Sequence, residues 1–190
     1  MCRMLVPGDR FGALGQEFKV LDIDKANGDV LCIRTRRWKR APFDEKTERD
    51  CTNDFGDASI RSLLSHVFFG SMIENDTDID YFVKMSTDIV DNDGHRDYGM
   101  TRGYVRLLTQ QEMVKYRKHL NIRDWAWTIT PLKCRNIFTK ERQTGDQSVA
   151  IADSFGRWGH KKACYPADIY PVVTFKQRIN RHQSFYLKVR

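Results

Sequence analysis

The stretch DWAWTITP, Asp124 to Pro131, places two of the chain's four tryptophans two positions apart, just before a proline. Successive side chains of a β-strand point to opposite faces, so Trp125 and Trp127 would share one face of a strand. Two large aromatic side chains on one face indicate either the centre of a hydrophobic core or an exposed recognition surface. The stretch alone leaves both interpretations open.

The composition limits what kind of protein this is. A chain of 190 residues with 41% apolar and 12% aromatic content is long enough for one domain with a sizeable core. It contains no apolar run long enough for a signal peptide or a membrane span. We therefore expect a soluble protein in the cytoplasm of the cell that makes it, with no membrane partner.

The cysteines are odd in number and widely spaced. None of them forms a C-x-x-C pair, and they are Cys2, Cys32, Cys51, Cys134 and Cys164. Neither a disulfide framework nor a cysteine zinc site has this spacing. We expect free and mostly buried thiols, since free cysteine packs like a small hydrophobic residue.

The formal net charge of +7 is unevenly distributed. Between Glu74 and Asp97 there are eight acidic and two basic side chains, whereas from Lys133 onward there are twelve basic and four acidic ones. A second basic run, RTRRWKR, covers Arg34 to Arg40. This asymmetry indicates an acidic partner for the basic regions, or two regions of the chain that face each other.

Periodicity and turn signals predict an α+β fold. FKVLDID and VLCIRTR flank Asn27-Gly28 and indicate a β-hairpin, followed by a long loop from Lys39 to Phe55. A first helix, with Asp57 as its N-cap and Gly70 near its end, is indicated by apolar residues at helical spacing. These residues are Ile60, Leu63, Leu64, Val67 and Phe68.

A second helix has a complete start signal. Thr109 with Glu112 three residues later forms a capping box, and Met113, Tyr116 and Leu120 mark the face expected to be buried. The tryptophan stretch follows as a strand, and SVAIAD and YPVVTF are the last strands predicted. Two helices beside an antiparallel sheet, with long loops, give the α+β interpretation.

Five motifs in this order resemble a family of bacterial and phage proteins of unknown function that has a C-type-lectin-like fold. The phrases that carry the likeness are FKVLDID, DASIRSLLSHVFF, LLTQQEMVKY, WAWTITP and DIYPVVTF. They are similar to the family's W-x-V-L-D, S-x-x-R-x-W-L, LLS-x-x-E-x-x-x-Y, WWLRSP and GVRPALxL motifs. The likeness spans roughly Phe11 to Lys176, although the arginines of the last two motifs are absent, with Tyr170 in the place of the second.

The resemblance implies a C-type-lectin-like domain over residues 1–176, followed by a basic tail over 177–190. It further implies an antiparallel sheet in which the first and last strands pair, two flanking helices, and burial of at least one indole of the tryptophan stretch. A long irregular region between the late strands would form the variable surface. The fold itself implies no reaction.

The sequence lacks the motifs of metal binding and of nucleophilic catalysis. DTDIDY and DNDG lack the spacing of a calcium loop, so a solvated acidic loop is favoured. There is no G-x-S-x-G motif, and no spacing singles out a Cys–His pair. We therefore predict a protein that is not an enzyme and has no cofactor and no metal site.

The leading hypothesis is a phage or prophage recognition or structural module that binds a protein or a glycan. Its partner-binding residues would lie in the late variable loop, and they are Arg157, Trp158, His160, Lys161 and Lys162. Such a module would work in the producing or infected cell, or in a virion, alone, as an oligomer or in a larger assembly.

The alternative is a basic inhibitor or adaptor that contacts nucleic acid or a host protein that handles it. Cationic runs that include aromatic side chains are typical of single-strand and RNA-binding surfaces, although a solvated strand face is the simpler explanation. The residues concerned are Arg34, Arg36, Arg37, Trp38, Lys39, Arg40, Lys176, Arg178 and Arg181.

Overall fold

A computed structural model describes residues 5–134 and 147–176 of the chain. The predicted tail 177–190 lies outside these residues. Twelve strands are formed within the described residues: β1 (Arg10–Ala13), β2 (Gln16–Ile23), β3 (Val30–Arg34), β4 (Lys39–Pro42), β5 (Met85–Asp88), β6 (Met100–Gly103), β7 (Val105–Arg106), β8 (Ala126–Pro131), β9 (Ser148–Ala152), β10 (Trp158–Lys162), β11 (Pro166–Ile169) and β12 (Val172–Phe175).

The strands form two five-stranded sheets and one separate hairpin. The first sheet has the order β1-β2-β3-β12-β7, the second the order β10-β9-β8-β11-β4, and β5 pairs with β6. Every pair is antiparallel except β8 with β11. The mixed α+β prediction is confirmed at this level, but the prediction of one sheet is wrong.

Several strands lie where loops were predicted. The stretch that starts at Lys39 begins with β4, and residues 158–162 form β10. The implied pairing of first and last strands is also wrong, because β12 pairs with β3 and β7 whereas β1 pairs with β2. The opening hairpin of β2 and β3 is confirmed, with Gly28 at φ +76° in the connecting turn.

The first helix is present, but it is wider than an α-helix over most of its length. It begins as α1 (Ser59–Ser62), continues as a π-helix from Leu63 to Phe69, and ends in a 3₁₀ turn from Gly70 to Met72. Because the wider turns change which residues share a face, Val67 is 54% exposed instead of buried. The helix also continues through Gly70, the predicted end.

The cap of this helix comes from a distant residue. Ala58, not Asp57, occupies the N-cap position, and it makes no side-chain cap. The carboxylate of Asp44 instead accepts hydrogen bonds from the backbone N–H groups of Ser59, at 3.2 Å, and Thr52, at 2.9 Å. The start of the helix is thus fixed to the loop that follows β4.

The second helix begins as predicted. It is α2 (Gln110–Lys115), followed by a 3₁₀ turn from Arg117 to His119, and its capping box between Thr109 and Glu112 is formed. The predicted buried face is confirmed, because Met113, Tyr116 and Leu120 are all buried. A further 3₁₀ helix, Asp76–Tyr81, occupies the acidic region. Within the described parts of the chain, no helix combines the length and apolar character needed to cross a membrane.

Two apolar clusters hold these elements together. The larger one includes residues of both five-stranded sheets and of the first helix, among them Phe18, Phe68 and Trp127. The smaller one joins α2 to both sheets through Met113, Leu21 and other residues. The second sheet therefore has one face towards each cluster, and its edge strand β10 lies at the rim of the core.

Candidate functional site

The tryptophan stretch has a divided role. Trp127 is buried, packs edge-on against the Phe43 ring, and donates an Nε1–H hydrogen bond to the carbonyl of Ala41 at 2.9 Å. Trp125, by contrast, is only partly buried at the rim of the larger cluster. The core interpretation is therefore confirmed for Trp127, and Trp125 lies where the core meets the surface.

The five predicted partner-binding residues do not form one loop surface. Trp158 to Lys162 make up β10, which pairs with β9 over its full length. Because strand side chains alternate, Trp158, His160 and Lys162 point to one face, and Lys161 points to the other together with Gly159. The prediction of a variable loop over 156–162 is therefore wrong for residues 158–162, which divide between the two faces of an edge strand, whereas Arg157 lies in the turn before it.

Three of these side chains contact other parts of the chain. The imidazole of His160 lies 2.7 Å from the Asn92 side chain, and Lys161 Nζ donates to the carbonyl of Pro166 at 2.7 Å. Lys162 forms an ion pair with Glu48. Trp158 is 37% exposed. The lysines of β10 therefore have local structural contacts and also discourage pairing of this edge with another strand.

A tight turn places Arg157 over an aromatic ring. The guanidinium carbon of Arg157 lies 5.3 Å from the centre of the Trp125 ring and 5.9 Å from that of Phe155. Such contacts are favourable because the π-electron face of the ring attracts the cation. The guanidinium also pairs with the carboxylate of Asp153, which fixes its orientation.

Asp153 organises the whole turn. Its carboxylate is fully buried and accepts hydrogen bonds from the backbone N–H groups of Phe155, at 2.9 Å, and Arg157, at 3.1 Å. Burial alone would raise the pKa of Asp153, but the hydrogen bonds from Arg157 and Phe155 outweigh it, and the pKa is lowered. Asp153 therefore stays ionised at neutral pH and keeps the turn in one conformation.

Phe155 projects from this turn beside Arg157. Its side chain is 69% exposed, the largest exposure among the large apolar residues of the described chain. Gly156 has φ +88°, and a Cβ there would lie 2.8 Å from a guanidinium nitrogen of Arg117. Only glycine lets Arg117 approach so closely. We call Arg117, Trp125, Phe155, Gly156 and Arg157 the arginine–aromatic surface.

Several side chains of the basic run after β3 form contacts within the molecule. Arg34 donates to the Gln16 side chain at 2.8 Å and to the carbonyls of Arg36 and Arg37 at 2.7 and 2.8 Å. Burial, followed by repulsion from Arg36, lowers the pKa of Arg34. Trp38 packs edge-on against Phe68, with ring centres 5.2 Å apart, so its ring belongs to the core rather than to a stacking platform.

Two further arginines of this run pair with acids. Arg37 and Arg40 both lie within 3.4 Å of the buried carboxylate of Asp168, and Arg40 also contacts Asp124 at 3.3 Å. The ion pairs neutralise part of the positive charge that the sequence concentrates here.

The remaining residues of the nucleic-acid alternative are scattered. Arg36 and Lys39 are exposed, and Lys176 follows β12, where its backbone N–H donates to Tyr81. Arg178 and Arg181 lie outside the described residues. Within the part of the chain that the structure describes, the cationic run and the aromatic side chains thus do not combine into one exposed surface.

A polar cleft of about 540 Å³ lies beside the start of α2. Its lining comes from the β5–β6 connection, α2 and β8, and consists of Asp88, Val90, Asp91, Asn92, Arg96, Thr109, Gln110, Gln111, Val114, Ile129 and Thr130. Asp88 and Arg96 form an ion pair at 3.0 Å at this site. The neighbouring Asp91 carboxylate accepts the backbone N–H groups of Asp93, His95 and Cys134. The acidic loop therefore uses this acid to fix its own backbone.

The titratable side chains show no assembled catalytic or metal-binding group over residues 5–134 and 147–176. No three His, Cys, Asp or Glu side chains there are placed to hold a metal ion. Where histidine side chains of these residues form hydrogen bonds, the partners are the carbonyl of Ser62, Asp91 and Asn92. None of these partners is a nucleophile that a histidine could activate.

Sequence reasoning found Trp125 and Arg157 but missed the other members of the surface. Phe155 and Gly156 belong to the phrase DSFGR, in which an Asp precedes a Gly by three positions, a pattern typical of a side-chain-stabilised turn. That signal could have found the turn. Nothing local to Arg117 indicates its position, because a contact across 39 residues brings it to Gly156.

Comparison with known proteins identifies no relative of this chain. No family model matches the chain, and neither a curated protein nor a solved structure matches it. The functional interpretation therefore rests on the residues and their geometry.

Proposed function

We propose that the protein is a non-catalytic recognition module that binds a partner protein through the arginine–aromatic surface. The observation that carries this proposal is the presentation of Phe155, 69% exposed, on a turn that a buried carboxylate holds, with Arg157 beside the Phe155 ring and Arg117 against Gly156. The C-type-lectin-like assignment and a phage or prophage origin belong to this proposal and rest on the order of the five sequence motifs.

The chemistry of the surface suits a protein partner. Protein–protein hot spots are enriched in aromatic residues and arginine, and they bury an apolar anchor that a polar rim surrounds. Phe155 supplies the anchor, and Arg117 and Arg157 supply the rim. The two cations favour a partner segment in which an acidic side chain lies beside an apolar one.

A glycan is less well supported as the ligand. Sugar rings stack on an open aromatic face, but the face of Trp125 is covered by the guanidinium of Arg157. Uncovering it would require Arg157 to leave both Trp125 and Asp153. The geometry therefore favours a partner that contacts Arg157 in place.

The turn is prepared for binding. Asp153 fixes two backbone N–H groups and one guanidinium, and Gly156 adopts the left-handed conformation that the turn requires. A preformed loop loses less conformational entropy on binding than a flexible one, which strengthens the affinity for a given set of contacts.

A site-specific photo-crosslinking experiment tests the proposal. A benzophenone amino acid replaces Phe155 in one variant and Val67, which is 54% exposed on the first helix, in the control. Irradiation in lysate of the producing cell should give a defined protein adduct from position 155 and not from position 67. Identical adducts from both positions, or none from position 155, would contradict the proposal.

The identified partner then allows an affinity measurement. Phe155→Ser should weaken binding of the purified partner by at least about tenfold, which corresponds to ~1.4 kcal/mol. Val67→Ser removes a similar exposed apolar side chain and should change the affinity by less than about twofold. Equal effects of the two substitutions would show that general surface hydrophobicity, not this surface, drives the association.

A further inference from the structure

Two cysteines that are 113 positions apart in the sequence meet at one point of the structure. Cys164 is a neighbour of the Cys51 thiol. The Cys51 S–H donates to the side-chain oxygen of Gln147 at 3.3 Å, and the backbone carbonyl of the same Gln147 accepts the N–H of Ala163, the residue before Cys164, at 2.9 Å. Neither contact concerns the arginine–aromatic surface. We propose that Cys51 and Cys164 form a peroxide-sensitive dithiol that is converted reversibly into an intramolecular disulfide.

The backbone around both cysteines is fixed. The carbonyl of Ala163 accepts the N–H groups of Phe43, at 2.7 Å, and Asp44, at 3.0 Å, and the N–H of Ala163 donates to Gln147. The N–H of Cys51 donates to Thr47 at 2.8 Å. The loop after β4 and the turn between β10 and β11 are thus joined by backbone hydrogen bonds, so the segments that carry the two cysteines stay together independently of the thiols.

The two thiols differ in access to solvent. Cys51 is only 2% exposed, whereas Cys164 is partly exposed in its turn. Burial and the neighbouring Cys164 raise the pKa of Cys51 to about 11. Because the thiolate is the reactive form and needs contact with the oxidant, Cys164 reacts first and Cys51 second.

Hydrogen peroxide, the simplest hydroperoxide, is the oxidant in this scheme. The Cys164 sulfur attacks one peroxide oxygen and the O–O bond breaks, giving a sulfenic acid and one water. The Cys51 sulfur then attacks the Cys164 sulfur, the S–O bond breaks, and a second water leaves as the disulfide forms. Each sulfur loses one electron, both thiol protons end in water, and a dithiol reductant reverses the change.

The other cysteines of the described chain provide internal comparisons. Cys32 is fully buried, and burial raises its pKa well above the usual value. Cys134 is partly exposed like Cys164, but its sulfur contacts the carbonyl of His95, at 3.7 Å. Cys134 therefore matches Cys164 in access to solvent and lacks the partner thiol.

Peptide mapping of the whole protein tests the proposal. Reduced protein is treated with one equivalent of hydrogen peroxide, alkylated in denaturant and digested with trypsin without reduction. Because trypsin cleaves after Arg49, Arg61, Lys162 and Lys176, the two cysteines fall in separate peptides, 50–61 and 163–176. A peptide that joins them, lighter by two hydrogens than their sum, should replace the alkylated forms and should disappear after thioredoxin treatment.

Variants separate the two steps. Cys51→Ser should abolish the joined peptide and leave a Cys164 sulfenic acid that dimedone traps, and Cys134→Ser should behave like the wild type. The wild-type map stands alone if a variant fails to fold. If peptide 50–61 remains fully alkylated after peroxide treatment while peptide 163–176 is oxidised, or if Cys164 pairs with a cysteine other than Cys51, the proposal is overturned.

Discussion

Replacing Trp127 by phenylalanine tests the central structural claim, that this indole belongs to the core and not to a binding surface. Trp127 is 2% exposed, and its Nε1–H donates to the carbonyl of Ala41 on β4. Loss of this buried hydrogen bond costs about 1 kcal/mol. The smaller ring removes apolar contacts and leaves a void, which adds about 2 kcal/mol.

We therefore expect Trp127→Phe to lower the free energy of unfolding by about 3 kcal/mol. For a chain of this length, that corresponds to a fall in the melting temperature of about 10 °C. Trp125→Phe is the matched control. Its side chain is partly exposed at the rim, so the same change there should cost less than about 1 kcal/mol.

Urea unfolding followed by far-ultraviolet circular dichroism measures both free energies. A large loss for Trp127 and a small one for Trp125 would support the division of the tryptophan stretch between core and rim. The reasoning would be refuted if Trp127→Phe cost less than about 1 kcal/mol, or if the two substitutions had equal effects.

Three further predictions concern charged side chains. The pKa of Glu112 is lowered in the folded protein, because its hydrogen bonds with Arg106 outweigh the effect of burial. The ionised Glu112 therefore contributes its full stabilisation at a pH above its pKa in the unfolded chain, about 4.3, and this stabilisation is lost as the pH falls through its pKa in the folded protein. Glu112→Gln should thus destabilise at pH 7 by about 3 kcal/mol and by much less at pH 3, as measured by urea midpoints. Asp44→Ala should lower the free energy of unfolding by about 2 kcal/mol, because the N–H of Ser59 loses its hydrogen-bond acceptor. Asp57→Ala is the control: it lies at the exposed position before the helix and should lower the free energy of unfolding by less than about 0.5 kcal/mol in the same assay. Because acidic side chains already pair with arginines of the basic run, a chain without residues 177–190 should make few contacts with phosphates. In a filter-binding titration with a single-stranded oligonucleotide, the slope of log K against log salt should be no steeper than about −2. A slope steeper than about −4 would show that the cations of the run are free to bind phosphates.

The sequence allowed prediction of those elements whose signals are local. The turn at Asn27-Gly28 identified the opening hairpin, and the capping box of Thr109 and Glu112 identified the start of α2. In both cases a few neighbouring residues determine the backbone conformation, so no distant contact is needed to recognise the element.

The missed elements depend on distant partners. Strands β4 and β10 contain lysine, arginine or histidine and show no clear alternation, and they become strands because β11 and β9 present hydrogen-bonding edges to them. The cap of the first helix comes from Asp44, fifteen positions before Ser59. A pattern search along the chain does not see such contacts.

The candidate site divides in the same way. Trp125 and Arg157 were singled out from their types and neighbours, and the structure places them in contact. Arg117 and the thiol pair of Cys51 and Cys164 depend on tertiary packing across 39 and 113 positions. Composition limited the kind of surface to be expected, but only the fold determined which of the many cations take part.

The strand order of the two sheets has a consequence for synthesis on the ribosome. Strand β3 has β12 as one of its two neighbours, and β4 depends on β11 for its only ladder among the described residues. Neither sheet can be completed until residues 166–175 have left the exit tunnel. Until then, the apolar side chains of the first hairpin and the first helix remain exposed to solvent. Such late closure between distant segments slows folding and exposes the nascent chain to aggregation. Folding of this protein during its synthesis should therefore depend on chaperones that bind nascent chains.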